Sequence, residues 1–196
     1  MLESAKLGKA SIRIYRWESQ WVSLGANQAE ISGIPHQVVR PTGGRAVLHG
    51  DDLTITVAMP LPLGDLGHFQ LRALYAALMA PLQQALPQCR LPVRLGTDRE
   101  GSVRSTSPDC FATTGRFDLC VAGTRTKIGG AALYTCESAA LIQTSILIRN
   151  SPAFGDFPAR SVQAWDEHRL ANELLIAWRT CGWDVVFDQP LSISHT

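Results

Sequence analysis

The stretch from Arg40 to Val57 reads R-P-T-G-G-R-A-V-L-H-G-D-D-L-T-I-T-V and gathers the side chains best suited to chemistry. Gly43 and Gly44, which follow Thr42, let the backbone come close to a ligand and turn its N–H groups toward it. Arg40 and Arg45 flank the pair and could meet a carboxylate, a phosphate or a thioester oxygen. His49 could carry a proton or donate a hydrogen bond. A tight hairpin with its arginines in solvent fits the same residues, because paired glycines are also ordinary turn signals. A second stretch, Gly96 to Thr114, is polar, rich in Ser, Thr and Gly, and holds one cysteine, Cys110. Aperiodic loops of this length tend to carry function. A free cysteine in polar surroundings is also unusual, since free cysteines are mostly buried. Lys127, taken alone, reads as a solvated charge in a hairpin, and Asp118 as an exposed residue on an edge strand.

The elements that must hold these residues are legible from periodicity. Leu71, Leu74, Tyr75, Leu78, Leu82 and Leu86 fall on one stripe and predict a helix over Gln70 to Leu86, ended by Pro87. Ser161 to Cys181 predicts a second helix, with Asp166 and Glu167 in its first turn and Gly182 as its stop. Ser11 to Arg16 and Leu53 to Val57 alternate as strands do. Phe117 to Ala122 and Ile128 to Tyr134 form a hairpin pattern around Gly123-Thr124, and Ala140 to Ile148 reads as a buried strand. Strands in neighbouring groups with helices between them predict one α+β domain over residues 1–196, built on a largely antiparallel mixed sheet with packed helices.

Composition narrows the function classes. Hydrophobic content of 45% and charged content of 18% suit a folded enzyme rather than a disordered chain. A net charge of +1 gives no reason to expect nucleic acid or an anionic membrane as partner. No run reaches the roughly 18 apolar residues of a membrane span. Met1 to Arg13, with Glu3, Lys6 and Lys9, has no apolar core of a secretory signal. The five cysteines are odd in number and contain no C-x-x-C pair, which argues against a zinc or disulfide framework and for a reducing cytoplasm.

The string R-P-T-G-G-R-A-V-L-H, followed by a polar pair and a strand, resembles the ligand-binding loop of the biotin/lipoate A/B protein ligase superfamily, in its lipoate-protein ligase and octanoyltransferase branch. Ile12 to Gln28 resembles the opening strands of that family, and the likeness extends to about Ser151 and more weakly into the last helix. It implies the fold of the biotin/lipoate ligase catalytic domain. It also implies that Arg40, Thr42, Gly43, Gly44, Arg45 and His49 line an acyl or acyl-adenylate pocket. Lys127-Ile128-x-Gly130 resembles the family's K-[IV]-x-G-[SN]-A-Q, whose lysine contacts the acyl carbonyl or the adenylate phosphate. A fixed ammonium there stabilises developing negative charge. P-x-C-F around Cys110 resembles the nucleophile position of the octanoyltransferases. The implied role is to take an acyl group from a carrier-protein thioester and pass it to a lysine of an acceptor domain, with Lys127 lowering the thiol pKa. Gly129, Gly130, Ala131 and Ala132 are small enough to leave room for the chain.

Two positions depart from the pattern. Ala131-Ala132-Leu133 replaces Ser or Asn, Ala and Gln, and Gln143-Thr144-Ser145 replaces H-G-S, which puts Gln143 among the ligand-binding residues. Three readings follow. A cysteine-dependent transferase moves an octanoyl or lipoyl group between an acyl carrier protein and a lipoyl domain and needs neither cofactor nor metal. A ligase uses ATP and magnesium. Gly115-Arg116-Phe117-Asp118-Leu119 resembles the ligases' G-R-x-D-L, with Asp118 near the metal, but a ligase has no use for Cys110. A non-catalytic homologue binds an acyl chain or a lipoylated partner.

Overall fold

The computed structural model describes residues 1–98 and 105–188. In chain order the elements are α1 (Leu2–Lys6), β1 (Ser11–Arg16), β2 (Trp21–Leu24), β3 (Gln37–Val39), β4 (Val47–His49), β5 (Asp52–Pro60), α2 (Leu71–Gln88), β6 (Val93–Leu95), β7 (Leu119–Val121), β8 (Lys127–Cys136), β9 (Ala139–Leu147), α3 (Leu170–Thr180) and β10 (Val186–Phe187). A seven-stranded sheet runs β10-β1-β5-β9-β8-β7-β6, antiparallel except for the β1–β10 pair. A second sheet, β3-β2-β4, forms a smaller layer.

Strand alternation divides the work of the large sheet between its two faces. Leu53, Ile55 and Val57 of β5, with Ile142 and Ile146 of β9, join the main core together with Leu74, Leu78 and Leu82 of α2 and Leu174 and Trp178 of α3. The intervening Thr54, Thr56, Gln143 and Ser145 point the other way. Cross-strand pairing sets Gly130, Ser145, Thr54 and Tyr15 in one row across β8, β9, β5 and β1. The L-T-I-T-V alternation therefore marks a central strand buried on both faces, with apolar residues against the helices and hydroxyls toward the functional side.

Both predicted helices exist with shifted limits. α2 runs past Pro87 to Gln88 and also contains Pro81. A proline inside a helix costs about 3 kcal/mol, and the buried stripe of Leu74, Leu78, Leu82 and Leu86 outweighs it. α3 begins at Leu170, not near Ser161, after a short 3-10 turn at Glu167–Arg169. Tertiary partners claim the donors upstream of it. Val162 N–H donates to Asn150 Oδ1, Asp166 N–H to Cys89 O, and the Trp165 indole to Leu147 O. The hairpin is present, turning at Gly123. Of the Gly96–Thr114 loop, residues 99–104 lie outside the described residues.

Leu74 is fully buried between α2 and the sheet. Leu74→Ala is expected to destabilise the protein by about 2–5 kcal/mol, read as a lower urea midpoint at unchanged m-value.

Candidate active site

The chain from Ser105 onward returns to the small sheet and carries Cys110 to it. Cys110 N–H donates to Ala46 O at 2.8 Å, just beyond the glycine loop. Asp109 caps the 3-10 turn Cys110–Ala112 by accepting Phe111 N–H at 3.0 Å. Asp109 is fully buried and also pairs with Arg160 Nη2 at 2.8 Å, and the Arg160 guanidinium lies 4.2 Å from the centre of the Phe111 ring. Arg160 was not singled out by pattern. It sits in an irregular segment, and no local periodicity marks a side chain that works 51 residues away.

Lys127, the first residue of β8, reaches the same turn. Its Nζ lies 2.7 Å from Asp118 Oδ2, 2.6 Å from Cys110 O, 3.0 Å from Thr113 O and 3.6 Å from Cys110 Sγ. An ammonium has three N–H donors, and three oxygens satisfy them, so the sulfur is a fourth, longer neighbour. Asp118 Oδ2 also accepts Gly115 N–H at 2.5 Å. That oxygen is shared between a lysine and a backbone amide. Among the described residues no group of three His, Cys, Asp or Glu side chains converges as a metal cluster.

The thiol differs from expectation in its net direction. Burial pushes Cys110 up from the ordinary thiol value. Lys127 opposes this as expected, but Asp118 adds to the rise and Arg40 helps only in part.

Cys110 opens onto a cavity of about 260 Å³ between the two sheets. Its floor is the row Gly130, Ser145, Thr54 and Tyr15, and strands about 4.8 Å apart make that row roughly 14 Å long. Its roof comes from Val38, Val39 and Val47 of the small sheet and from Arg40, Pro41 and Gly44. A Cβ placed on Gly130 would lie 3.1 Å from Cys110 Sγ, so glycine is what lets the sulfur approach the floor. Ala131 and Ala132 also line the space. Gly129 does not, and its missing side chain instead accommodates Ser145 O and Leu119.

The glycine loop is built differently from its first reading. All five N–H donors of Arg40 are taken within the protein: Nε by Thr42 Oγ1, Nη1 by Ser23 O and Oγ, and Nη2 by Gly43 O and Arg45 O. Arg40 thus shapes the loop and lines the cavity with no donor to spare for a ligand. Arg45 turns away from the cavity, to Thr113 Oγ1 and Ser105 O, and ties the loop to the Cys110 segment. Thr42 is buried and donates to Gln143 Oε1 at 2.9 Å, so Gln143 locks the loop to the floor while lining the cavity. Thr42 and Gly43 are not themselves cavity walls. Gly44 adopts a φ of +89°, and Gly25 packs so closely on its carbonyl that any side chain at Gly25 would collide with it.

His49 lies at the end of the cavity away from the glycines, 4% exposed and stacked on Trp17 at 4.2 Å. Its Nε2 is 2.7 Å from Ser23 Oγ and its Nδ1 is 2.8 Å from Asp52 Oδ2. Burial alone would raise the Asp52 carboxyl. His49, the Ser145 hydroxyl and the Gly50 N–H outweigh it and hold Asp52 below the usual carboxylate value. The ring is thus tied at both nitrogens, to Asp52 and to Ser23, and His49 stands as a fixed wall of the cavity.

Residues 3–161 match the lipoyl protein ligase A/B catalytic domain. The chain belongs to that family. It is 32% identical over 158 residues to octanoyltransferase LipM of Exiguobacterium sp., covering 70% of this chain and 54% of that one. It is 30% identical over 135 residues to octanoyltransferase LipM of Moorella thermoacetica, covering 62% and 47%. The chain thus spans about half the length of these curated relatives. The fold is that of protein Ta0514 of T. acidophilum, described as a lipoate protein ligase and solved with lipoic acid bound. The TM-score is 0.70 at 18% identity, covering 94% of this chain and 78% of that one. The expected lipoate/biotin ligase architecture is therefore the one observed.

Alkylation of Cys110 by iodoacetamide, followed by mass against pH, is expected to titrate above the free thiol value of about 8.5. Lys127→Met, which removes the ammonium, moves the midpoint further up. Asp118→Asn, which removes a neighbouring negative charge, moves it down.

Proposed function

We propose that this domain transfers a medium-chain acyl group, octanoyl or lipoyl, through a thioester on Cys110. The observation that carries the reading is the position of Cys110 Sγ, at the wall of an elongated and mainly apolar cavity and 3.6 Å from the Lys127 ammonium. The relatives named octanoyltransferase support it, and the commitment of Asp118 to Lys127 gives the ATP- and magnesium-dependent reading no comparable support.

In this reading the acyl chain lies along the floor from Gly130 toward Thr54 and Tyr15, with its carbonyl at Cys110. Each methylene buried there contributes about 0.8 kcal/mol, so a chain two carbons shorter binds roughly tenfold more weakly. The Cys110 sulfur attacks the carbonyl carbon, a new C–S bond forms, and the donor's C–S bond breaks. The thiol proton ends on the departing sulfur, and nothing is oxidised or reduced. Lys127 stabilises negative charge on Cys110 and on the carbonyl oxygen as it develops. The amine of an acceptor lysine then attacks the acyl-cysteine, forms the amide and restores the thiol. The partners are an acyl carrier protein as donor and a lipoyl domain as acceptor.

Intact mass after incubation with octanoylated carrier protein, without ATP, tests the reading. An octanoyl adduct on the wild type, labile to hydroxylamine and missing in Cys110→Ser, is expected. Lys127→Ala should slow its formation about a hundredfold or more with the fold retained. Lipoylation that requires ATP, with no adduct, would move the assignment to a ligase, and silence in both assays would move it to a binding protein.

A further inference from the structure

Beside the acyl cavity lies a second, open one of about 480 Å³ that shares no lining residue with it. The two meet at the Cys110 turn. Cys110 faces the first, while Phe111, Thr113 and Lys127 face the second. Their walls differ in chemistry. The second cavity is bordered by Thr113, Thr114, Thr126 and Ser161 and by Arg125 and Arg160, and no carboxylate borders it among the described residues. Arg160 has a side chain only 6% exposed, and its buried Nε has no partner. A further hollow of about 350 Å³, bordered by Thr124, Asn150 and Gln163, shares Thr126 and Ser161 with the second. A polar trench therefore leads from the Cys110 turn along the β7–β8 turn.

A thioester whose acyl chain fills the first cavity has its carbonyl at Cys110, and its thiol half must extend out of that cavity. We infer that the second cavity receives this half, as a pantetheine-type arm: a chain of amides with a hydroxyl, ending in a phosphate ester. The inference rests on the transferase reading. Hydroxyl side chains both donate and accept, which suits the N–H and C=O groups of successive amides. The Phe111 ring gives the intervening methylenes an apolar surface. Arg125, exposed at the rim, suits a phosphate. An alkyl chain placed there would cover polar groups and give them no partners, which is unfavourable. The two walls thus tell the ends of one substrate apart and fix the direction in which the thioester lies across Cys110.

Rates of Cys110 acylation, read by intact mass, test this with octanoyl-N-acetylcysteamine, which lacks most of the arm, and with octanoyl-pantetheine. The KM for the pantetheine thioester is expected to be about tenfold or more lower, the effect of one or two added hydrogen bonds. Ala159→Trp, which fills the second cavity, should abolish that difference while leaving the N-acetylcysteamine thioester within about twofold. Thr126→Val should reduce the difference partly, and serves where the tryptophan variant does not fold. Octanoyl-coenzyme A and octanoylated carrier protein, compared in the same assay, separate the two sources of the arm by which has the lower KM. Equal KM values for the truncated and full thioesters, or a difference that survives Ala159→Trp in a folded protein, would overturn the arm assignment while the adduct still stood for a transferase. No adduct from any thioester would overturn the transferase reading and the assignment with it.

Discussion

Lys127 brings a full positive charge into a space where its side chain is only 5% exposed. Taking an ammonium out of water costs several kcal/mol unless charge and hydrogen bonds replace the lost hydration. Here Asp118 supplies the charge, and the carbonyls of Cys110 and Thr113 supply the remaining acceptors. Two of those acceptors belong to the turn that presents the cysteine. The same charge that can stabilise a thiolate therefore also fixes the backbone around it, and the β7–β8 hairpin, the Cys110 turn and the glycine loop are held as one unit.

The cavity obeys a related constraint. A sheet face that meets an acyl chain should be apolar, yet this one carries Thr54, Gln143 and Ser145. These groups are tolerable in a dry space because each has a partner. Thr54 accepts from the Trp17 indole, Gln143 accepts from Thr42, and Ser145 donates to Asp52. The hydrogen bonds hold roof to floor and hold the far wall at His49, leaving a slot of definite length. Arg40 does the same for the glycine loop. Its guanidinium replaces a web of weaker contacts and keeps the Gly43–Gly44 backbone in one shape.

Asp109 and Arg160 connect this centre to the C-terminal part of the chain. Their ion pair is almost completely buried beneath the Cys110 turn, with Phe111 stacked on the guanidinium. Segment 151–163, where periodicity alone predicts the start of a helix from Ser161, folds back on itself through the Ser151–Arg160 and Phe154–Phe157 bridges and is tied down by Val162 N–H on Asn150 Oδ1 and by this pair. It forms one wall of the polar trench beside the cysteine. Loss of the Arg160 guanidinium therefore bears on the position of Cys110 even though it touches no acyl group.

By itself the sequence determined the α+β class, the places of β1, β5, β9 and the β7–β8 hairpin, and the segments that carry the site residues, while the small sheet, β6 and β10 had no such signal. Alternation and helical stripes are local signals, and Gly43–Gly44, Cys110 and Lys127 stand in motifs that can be read along the chain. Only tertiary structure decided what each side chain does there. Arg45 reads as a ligand contact but turns to Thr113 and Ser105, Gly129 makes room for Ser145 and Leu119 rather than for a ligand, and Asp118 pairs with Lys127. Cys110 has its thiol raised because burial, a property of the folded neighbourhood, exceeds the pull of one lysine. Ser23 and Arg160 were silent in the sequence for the same reason: their partners stand 26 and 51 residues away, in Ser23–His49 and Arg160–Asp109, and only the fold brings them together.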